Sequence, residues 1–391
     1  MTVLPPLSLY VHIPWCVRKC PYCDFNSHNA PQTLPQREYA DALLRDLDQD
    51  LPLARGRVLQ SIFFGGGTPS LFAPDTIARI LDGVAARLDF APGIEIALET
   101  NPGTVEHGPF AAYARAGVNR ISFGVQSFID SEAKHTGRLH TREIALRDVE
   151  RVRDAGIPHI NIDLIAGLPG QTIDTWRESL RVLADTGVDH ASIYMLEVDN
   201  DSRLGREIGS GGLKYFAPQV PSDEAITEMY SEALVFLGAH GLAQYEISNF
   251  AREGRESAHN LKYWQRKPYL GLGLDAHSIL RARSGAPLRF STTDELEPFL
   301  DSAGWNEPHR VPREEELEEA WFLGLRLSAG VSLRDLRAEF GPAAVASFDP
   351  ILTKLECDGL ITWTGDRIAL TPRGRLVSNE VFERFLTVPA I

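Results

Sequence analysis

Six short β-type segments alternate with helical patterns over the first half of the chain, and this alternation limits the possible folds more than any other feature. Strands separated by amphipathic helices form βαβ units, so we expect a parallel sheet. The predicted strands are Ser8–Ile13, Ser61–Phe64, Ile94–Glu99, Arg120–Val125, His159–Ile165 and His190–Leu196.

Polar residues follow many of these strands rather than only one of them. In a barrel the carboxyl ends of all strands meet at one mouth, whereas a doubly wound sheet concentrates its site at one switch point. The distribution therefore predicts an α/β fold with a partial (β/α)6-type barrel, and a functional site at the carboxyl ends of the strands.

The remainder of the chain has a different composition and a different pattern of predicted elements. Residues 199–223 are rich in Gly, Ser and polar residues and predict a long loop or lid, and residues 245–250 predict a further strand. After residue 304 the pattern is helical, with Ser332 and Thr371 as helix caps and a hairpin over residues 361–370. This order is typical of a winged-helix-like domain.

The predicted organisation is therefore a core barrel over residues 1–240, a barrel extension over 241–304 and a carboxyl-terminal helical domain over 305–391. A winged-helix-like domain raises the alternative of DNA binding. Its first helix begins REEELEE, however, and this acidic sequence would repel phosphates, so docking onto the barrel or acting as a lid is favoured. In a later helix of this domain, Cys357 is expected to be a small buried residue.

Composition restricts the partners and the compartment. The chain has 391 residues and a formal net charge of −14, which disfavours nucleic acid as a partner. No apolar run approaches the ~20 residues that span a bilayer, and the amino terminus lacks an export signal. We therefore expect a cytoplasmic location, where clustered cysteines more often bind metal or carry out redox chemistry than form disulfides.

The segment YVHIPWCVRKCPYCDFNSH holds three of the four cysteines in the spacing C-x-x-x-C-x-x-C, namely Cys16, Cys20 and Cys23. A structural zinc site would need a fourth ligand, for which His12, Asp24 and His28 are candidates. A four-iron, four-sulfur cluster would use three thiolates and leave one iron open to the amino and carboxylate groups of S-adenosylmethionine (SAM). The spacing favours the cluster.

This cysteine spacing directly after a first barrel strand resembles the radical SAM superfamily. Tyr22, immediately before Cys23, matches the aromatic residue that the family has there, and GGGTP at residues 65–69 resembles its glycine-rich motif. Glycines allow a backbone to approach a ligand closely, although they also serve ordinary βα turns.

Further residues at the strand ends continue the resemblance. Glu99, Gln126, Arg138 and Asp163 lie in or beyond successive strands. Each also has an ordinary structural interpretation, such as a buried paired acid, a surface cation or a helix cap. The resemblance implies that a set of residues contacts SAM: Tyr10, Gly66, Gly67, Thr68, Glu99, Gln126, Arg138 and Asp163. In that set, Arg138 suits the SAM carboxylate and Asp163 suits the ribose hydroxyls.

Within the superfamily, nearly the whole chain resembles the HemN/HemW group. The oxygen-independent coproporphyrinogen III oxidases of that group carry a further cysteine two residues after the third, where this chain has Phe25. The segment HNLKYW at residues 259–264 instead matches the H-N-x-x-Y-W motif of the group's heme chaperones. The resemblance thus implies heme binding and delivery to acceptor hemoproteins, among them membrane-associated respiratory enzymes, with the oxidase as the alternative. Whether the protein is an enzyme, and whether it forms a homodimer, stay open.

His259 is the candidate heme residue. Heme iron accepts an imidazole ligand, and a helix would place His259 and Tyr263 on one face, one turn apart. A lone histidine among aromatic residues is nevertheless more often a hydrogen-bonded packing residue. His277 and His12 are further candidates for the same role.

Overall fold

The structure, a computed structural model, describes residues 4–23, 25–104, 109–281, 287–302 and 307–386. The strands of the first half are β1 (Leu7–Ile13), β2 (Trp15–Cys16), β3 (His28–Asn29), β4 (Val58–Gly66), β5 (Asp89–Thr100), β6 (Arg120–Gln126), β7 (His159–Ala166) and β8 (His190–Met195). The six predicted strands are confirmed, and they pair in parallel in the order β1-β4-β5-β6-β7-β8.

Helices connect these strands on the outside of the barrel. They are α1 (Gln36–Ala54), α2 (Pro74–Ala85), α3 (Phe110–Ala116), α4 (Asp130–His135), α5 (Arg142–Asp154) and α6 (Ile173–Thr186). Alternate strand residues such as Leu9, Ile62 and Phe123 are buried among apolar side chains of the core. Because side chains alternate along a strand, the intervening positions point into the barrel, and many of them are polar.

The middle of the chain extends the sheet on both sides. Its elements are α7 (Arg203–Gly209), α8 (Asp223–Ala239), β9 (Ala243–Gln244), β10 (Asn249–Ala251), α9 (Ala258–Trp264), β11 (Tyr269–Leu272), β12 (His277–Arg281), β13 (Pro287–Ser291), α10 (Leu296–Ser302) and β14 (His309–Arg310). In the described ranges, one 12-stranded sheet has the order β14-β13-β12-β11-β1-β4-β5-β6-β7-β8-β10-β9. The barrel is therefore partial, as predicted.

Two predictions for this region are wrong. Residues 199–223 contain α7 and a 3₁₀ segment over Lys214–Gln219, because Ser202 caps α7 through the amide of Gly205 and Leu204 is buried in a small apolar cluster. The single strand over residues 245–250 is replaced by β9 and β10. Glu246 interrupts it, since its carboxylate accepts hydrogen bonds from Ser248 N and Asn249 Nδ2 and turns the chain.

The carboxyl-terminal domain has a core of its own around Trp321, Leu355 and Phe385. Its elements are α11 (Arg313–Arg326), β15 (Val331–Ser332), α12 (Leu333–Phe340), α13 (Pro342–Ala346), α14 (Asp349–Cys357), β16 (Ile361–Thr364), β17 (Arg367–Leu370), α15 (Pro372–Leu376) and α16 (Ser378–Glu383). The predicted hairpin and the caps at Ser332 and Thr371 are confirmed. Cys357 is exposed, contrary to prediction, because Leu352 and Leu355 form the buried face of α14.

The acidic face of α11 docks this domain onto the barrel extension. Arg281 Nη1 lies 2.9 Å from Glu316 Oε1, and Arg289 pairs with both Glu315 and Glu319. The acidic sequence at the start of α11 is therefore explained by arginines on the barrel side. Among the described residues, no helix has both the length and the apolar character required to cross a membrane.

Candidate functional site

A cavity of about 450 Å³ lies inside the barrel. Its walls come from the inward-facing positions of the strands and from α9, which packs against β4. Five of the predicted site residues line it: Tyr10, Gly66, Glu99, Asp163 and His259. The remaining ones lie at the carboxyl end of a strand, in the short strand β2 or on the loops beyond the strand ends: Gln126 ends β6, Cys16 ends β2, and Tyr22, Gly67, Thr68, Arg138, Cys20 and Cys23 lie on loops.

Two backbone hydrogen bonds tie the glycine-rich loop to the segment that precedes the cysteines. Gly67 N donates to Ile13 O at 2.8 Å, and Thr68 N donates to Trp15 O at 2.7 Å. A Cβ atom on Gly67 would lie 2.5 Å from Trp15 O, and one on Gly66 would lie 2.5 Å from the His12 ring. The glycines are therefore required here for the close approach of two loops.

The three cysteines are partly exposed on the loop that follows β1. Cys23 N donates to Cys20 O, which makes a tight turn between the second and third thiols. Burial raises the pKa of the Cys16 and Cys23 thiols, whereas the neighbouring hydroxyl groups of Thr68 and Ser27 lower the pKa of Cys16. In the described part of the chain, no three His, Cys, Asp or Glu side chains are grouped as a metal site.

The structure describes the surroundings of two of the three candidate fourth ligands for zinc, His12 and His28. Nδ1 of His12 lies 3.0 Å from the Tyr10 hydroxyl, and its Nε2 lies 3.0 Å from Asn26 O. His28 is exposed on β3, and Asp24 lies outside the described residues. The donor set that the loop offers is thus three soft thiols, which suits iron–sulfur chemistry.

Arg138 and Gln126 converge near Gly124, and both keep hydrogen-bonding capacity unused. Arg138 donates to Asn101 Oδ1 and to the Tyr22 hydroxyl, but its buried Nε has no partner among the described residues. The buried Oε1 of Gln126 has none there either, and Gln126 adopts a left-handed backbone conformation with φ 69°. The unpaired Nε is a donor that fits a carboxylate such as that of SAM, and the unpaired Oε1 is an acceptor that fits a donor such as the SAM amino group.

Two carboxyl groups, Glu99 on β5 and Asp163 on β7, line the cavity. Burial, together with the nearby charge of Asp163, raises the pKa of Glu99 to about 8. Burial also raises the pKa of Asp163, while hydrogen bonds from Ser192, Asn161 and Ser122 oppose the shift. Glu99 is therefore a protonated acid at neutral pH, and a cationic ligand would favour its ionised form.

His259 lies within a buried hydrogen-bonded chain. Ser8 Oγ lies 2.6 Å from Ser61 Oγ, which lies 3.0 Å from His259 Nδ1, and His259 Nε2 lies 2.9 Å from the Tyr263 hydroxyl. Phe63 stacks on the imidazole at a centroid distance of 5.0 Å. Burial lowers the pKa of His259 to about 3, so the ring is neutral at physiological pH. Both ring nitrogens have hydrogen-bond partners.

Sequence reasoning missed the polar floor of the cavity. Its lining includes Arg120, Ser122, Asn161, His190 and Ser192, which occupy inward positions of β6, β7 and β8. His190 Nδ1 lies 2.6 Å from Asn161 Oδ1, and Nδ2 of the same asparagine donates to Ser122 and Ser192. The signal was a polar residue at every second position of strands that are otherwise apolar.

Comparisons with known proteins agree with this geometry. The profile of the radical SAM superfamily matches residues 10–201, and that of the HemN C-terminal domain matches residues 311–377. The solved structure of coproporphyrinogen III oxidase (HemN) from Escherichia coli superposes with a TM-score of 0.84 at 24% identity, covering 98% of this chain and 91% of that one. Fold and domain matches thus define a radical SAM protein with a HemN-type carboxyl-terminal domain.

Sequence relatives identify the family within this class of protein. The heme chaperone HemW of Escherichia coli is 37% identical over 389 residues, covering 99% of this chain and 100% of the relative. HemW of Bacillus subtilis is 34% identical, covering 97% and 99% respectively. The mitochondrial radical S-adenosyl methionine domain-containing protein 1 of Mus musculus is 35% identical, covering 83% and 74%. The chain belongs to the HemW family.

The contact between the two loops predicts the effect of a single methyl group. Gly67→Ala places a Cβ against the Trp15 carbonyl, and we expect it to lower the free energy of unfolding by about 1–3 kcal/mol because the backbone must shift. The control is Gly238→Ala in α8, where a Cβ meets no atom within 4 Å and stability should be unchanged or slightly higher. Urea unfolding of both variants measures this, and equal stabilities would contradict the account.

Proposed function

We propose that this protein is a heme chaperone, which binds heme and delivers it to acceptor hemoproteins. The observation that carries the proposal is that α9, with the sequence AHNLKYW, lines the barrel cavity through His259, Asn260 and Tyr263. The full-length similarity to proteins named heme chaperone HemW supports the same function. Phe25, in place of the oxidase cysteine, is exposed beside this cavity.

As a radical SAM protein, the chain uses a four-iron, four-sulfur cluster and SAM. We propose that Cys16, Cys20 and Cys23 hold the cluster and leave one iron to SAM. When bound, the cluster supplies one-electron chemistry to SAM. The backbone hydrogen bonds of Gly67 and Thr68 to Ile13 and Trp15 fix the segment from which the cysteine loop departs.

The chain's own residues would orient SAM through charge and hydrogen bonding. Arg138 and Gln126 offer the unpaired Nε and Oε1 atoms to its amino-acid moiety, and Asp163 offers a carboxyl group to the ribose hydroxyls. Tyr10 and Gly66 line the same cavity. Glu99 lines it as well, and the positive charge of bound SAM would favour the ionised form of its carboxyl group. Tyr22 holds Arg138 in place through its hydroxyl group.

For heme, we propose His259 as the contacting residue. Its Nε2 could ligate iron after the hydrogen bond to the Tyr263 hydroxyl opens, since the neutral ring already has the ligating protonation state. The other two candidate imidazoles, His12 and His277, also line the cavity, and the side chain of His277 is 64% exposed. The alternative, in which His259 only positions α9, predicts that another group ligates the iron.

The finer assignment of partner and place also belongs to this proposal. We propose that the protein acts in the cytoplasm and that its acceptors include membrane-associated respiratory hemoproteins. A homodimer remains a prediction. With a net charge of −14, the protein is unsuited to nucleic acid as a partner.

The test separates a carrier from an oxidase. After anaerobic reconstitution, we expect the wild-type protein to bind heme with a defined Soret band and to leave coproporphyrinogen III unchanged in the presence of SAM and a reductant. His259→Ala should shift the Soret band and weaken binding if the imidazole is the ligand. The matched variant Tyr263→Phe should keep or strengthen binding, because it frees Nε2.

Two results would contradict different parts of this proposal. Turnover of coproporphyrinogen III without heme binding would establish the oxidase alternative. Heme binding with an unchanged Soret band in His259→Ala would reject only the ligand assignment and would direct the same titration to His277→Ala.

Glu99 gives SAM binding a predictable pH dependence. Because its pKa is about 8 in the free protein and a bound cation lowers it, binding releases a proton below that pH. SAM affinity should therefore rise with pH by up to about tenfold per pH unit and level off above about pH 8. Glu99→Gln should weaken the dependence, because it removes the group whose pKa is about 8. Asp46→Asn should retain it, since Asp46 is also buried with a raised pKa but lies outside the cavity lining. Calorimetric titrations at several pH values measure this, and a flat wild-type profile would contradict it.

A further inference from the structure

Helix α9 is held inside the barrel at its first residues by one carboxylate. Glu95 lies on β5 with its side chain only 10% exposed. Its Oε1 accepts hydrogen bonds from His259 N at 3.0 Å and from Ser257 Oγ at 3.3 Å, and its Oε2 accepts one from Ala258 N at 3.2 Å. A single side chain of the barrel thus binds three donors at the start of the HNLKYW segment.

The charge of Glu95 is compensated from the barrel wall. Arg120 Nε on β6 lies 2.9 Å from Glu95 Oε2, and Arg120 Nη2 donates to Arg255 O in the loop before α9. Removing a buried carboxylate from such a pair leaves the partner charge and the bound amides without compensation. The pair therefore fixes both the start of α9 and the loop that leads into it.

The other end of α9 is held by the carboxyl-terminal domain. The guanidinium of Arg326 lies 4.1 Å from the centroid of the Trp264 ring, and Arg266 Nη2 lies 2.7 Å from Glu339 Oε2. His259 and Tyr263 lie between these two anchors and face the cavity. A seven-residue helix is too short to be stable alone, so its position depends on these contacts.

We propose that Glu95 is a positioning residue of the heme site, which holds α9 so that His259 and Tyr263 face the cavity. The inference rests on the proposed function and deepens it, since Glu95 lies outside the H-N-x-x-Y-W motif, on a different element. It acts through α9 and makes no contact with heme itself.

Glu95→Gln tests the role with little change in shape. A neutral amide has one acceptor oxygen, so at least one backbone N–H of α9 loses its partner, and the ion pair with Arg120 is lost. We expect the Kd for heme to rise roughly tenfold or more. Hydrogen exchange of the amides of residues 258–264 should become faster in the same variant without heme, because the helix start is released.

Ala258→Pro tests the same contact from the helix side. Proline lacks the N–H that donates to Glu95 Oε2, and it is tolerated at the first position of a helix, where Ala258 stands. This variant leaves the barrel wall unchanged, so it serves if Glu95→Gln fails to fold. It should weaken heme binding in the same direction and by less.

Asp189→Asn is the matched control. The Asp189 carboxylate also accepts a backbone hydrogen bond, from Ile160 N, and pairs with His159, but it lies outside the cavity lining. It should leave heme affinity and the exchange of α9 unchanged even if it lowers stability. A double-mutant cycle of Glu95→Gln with His259→Ala should be non-additive in heme affinity, because both changes act through one helix.

The outcomes separate this inference from the function on which it rests. Wild-type protein that binds heme, with Glu95→Gln showing unchanged affinity or unchanged exchange of α9, would overturn the positioning role alone. Additive effects in the cycle would overturn it as well, since they would indicate a general loss of stability. Wild-type protein that fails to bind heme would overturn the proposed function and this role with it.

Discussion

The site depends on a close contact between two loops at the barrel mouth. The amides of Gly67 and Thr68 donate to the carbonyls of Ile13 and Trp15, and this fixes the segment from which the cysteine loop departs. A side chain at residue 67 would collide with the Trp15 carbonyl, so the contact exists only with glycine there.

The second constraint is the alternation of side chains along the strands. Outward positions of β1, β4 and β6 build the apolar core under the helices, and the inward positions leave polar groups around the cavity. These groups are satisfied by one another, as with Asn161 and His190, or compensated in charge, as with Glu95 and Arg120. The helix α9 then lines the cavity on the side of the extension, and the carboxyl-terminal domain contacts the end of α9 through the guanidinium of Arg326 over the Trp264 ring.

The parts of this arrangement that follow local patterns were predictable from the sequence. The six barrel strands, the caps at Ser332 and Thr371 and the position of Glu99 and Asp163 on the cavity wall are of this kind. The role of Glu95 was not predictable, because it depends on a helix more than 160 residues away in sequence. The helix α7 was not predicted because its segment is rich in Gly and Ser, and only the Ser202 cap and the buried Leu204 indicate a helix there. Cys357 was wrongly predicted to be buried. Burial depends on the face of the helix on which a residue lies, and apolar neighbours in the sequence do not determine that face.

We propose that three thiols on one loop hold an iron–sulfur cluster with one iron left open. Metal and sulfide analysis after anaerobic reconstitution, combined with electron paramagnetic resonance of the reduced protein with and without SAM, tests it most directly. We expect four irons and four sulfides per chain, a spectrum that changes when SAM is added, and loss of the cluster in Cys20→Ala but not in Cys357→Ala. One zinc per chain, with no iron incorporated and no response to SAM, would contradict it.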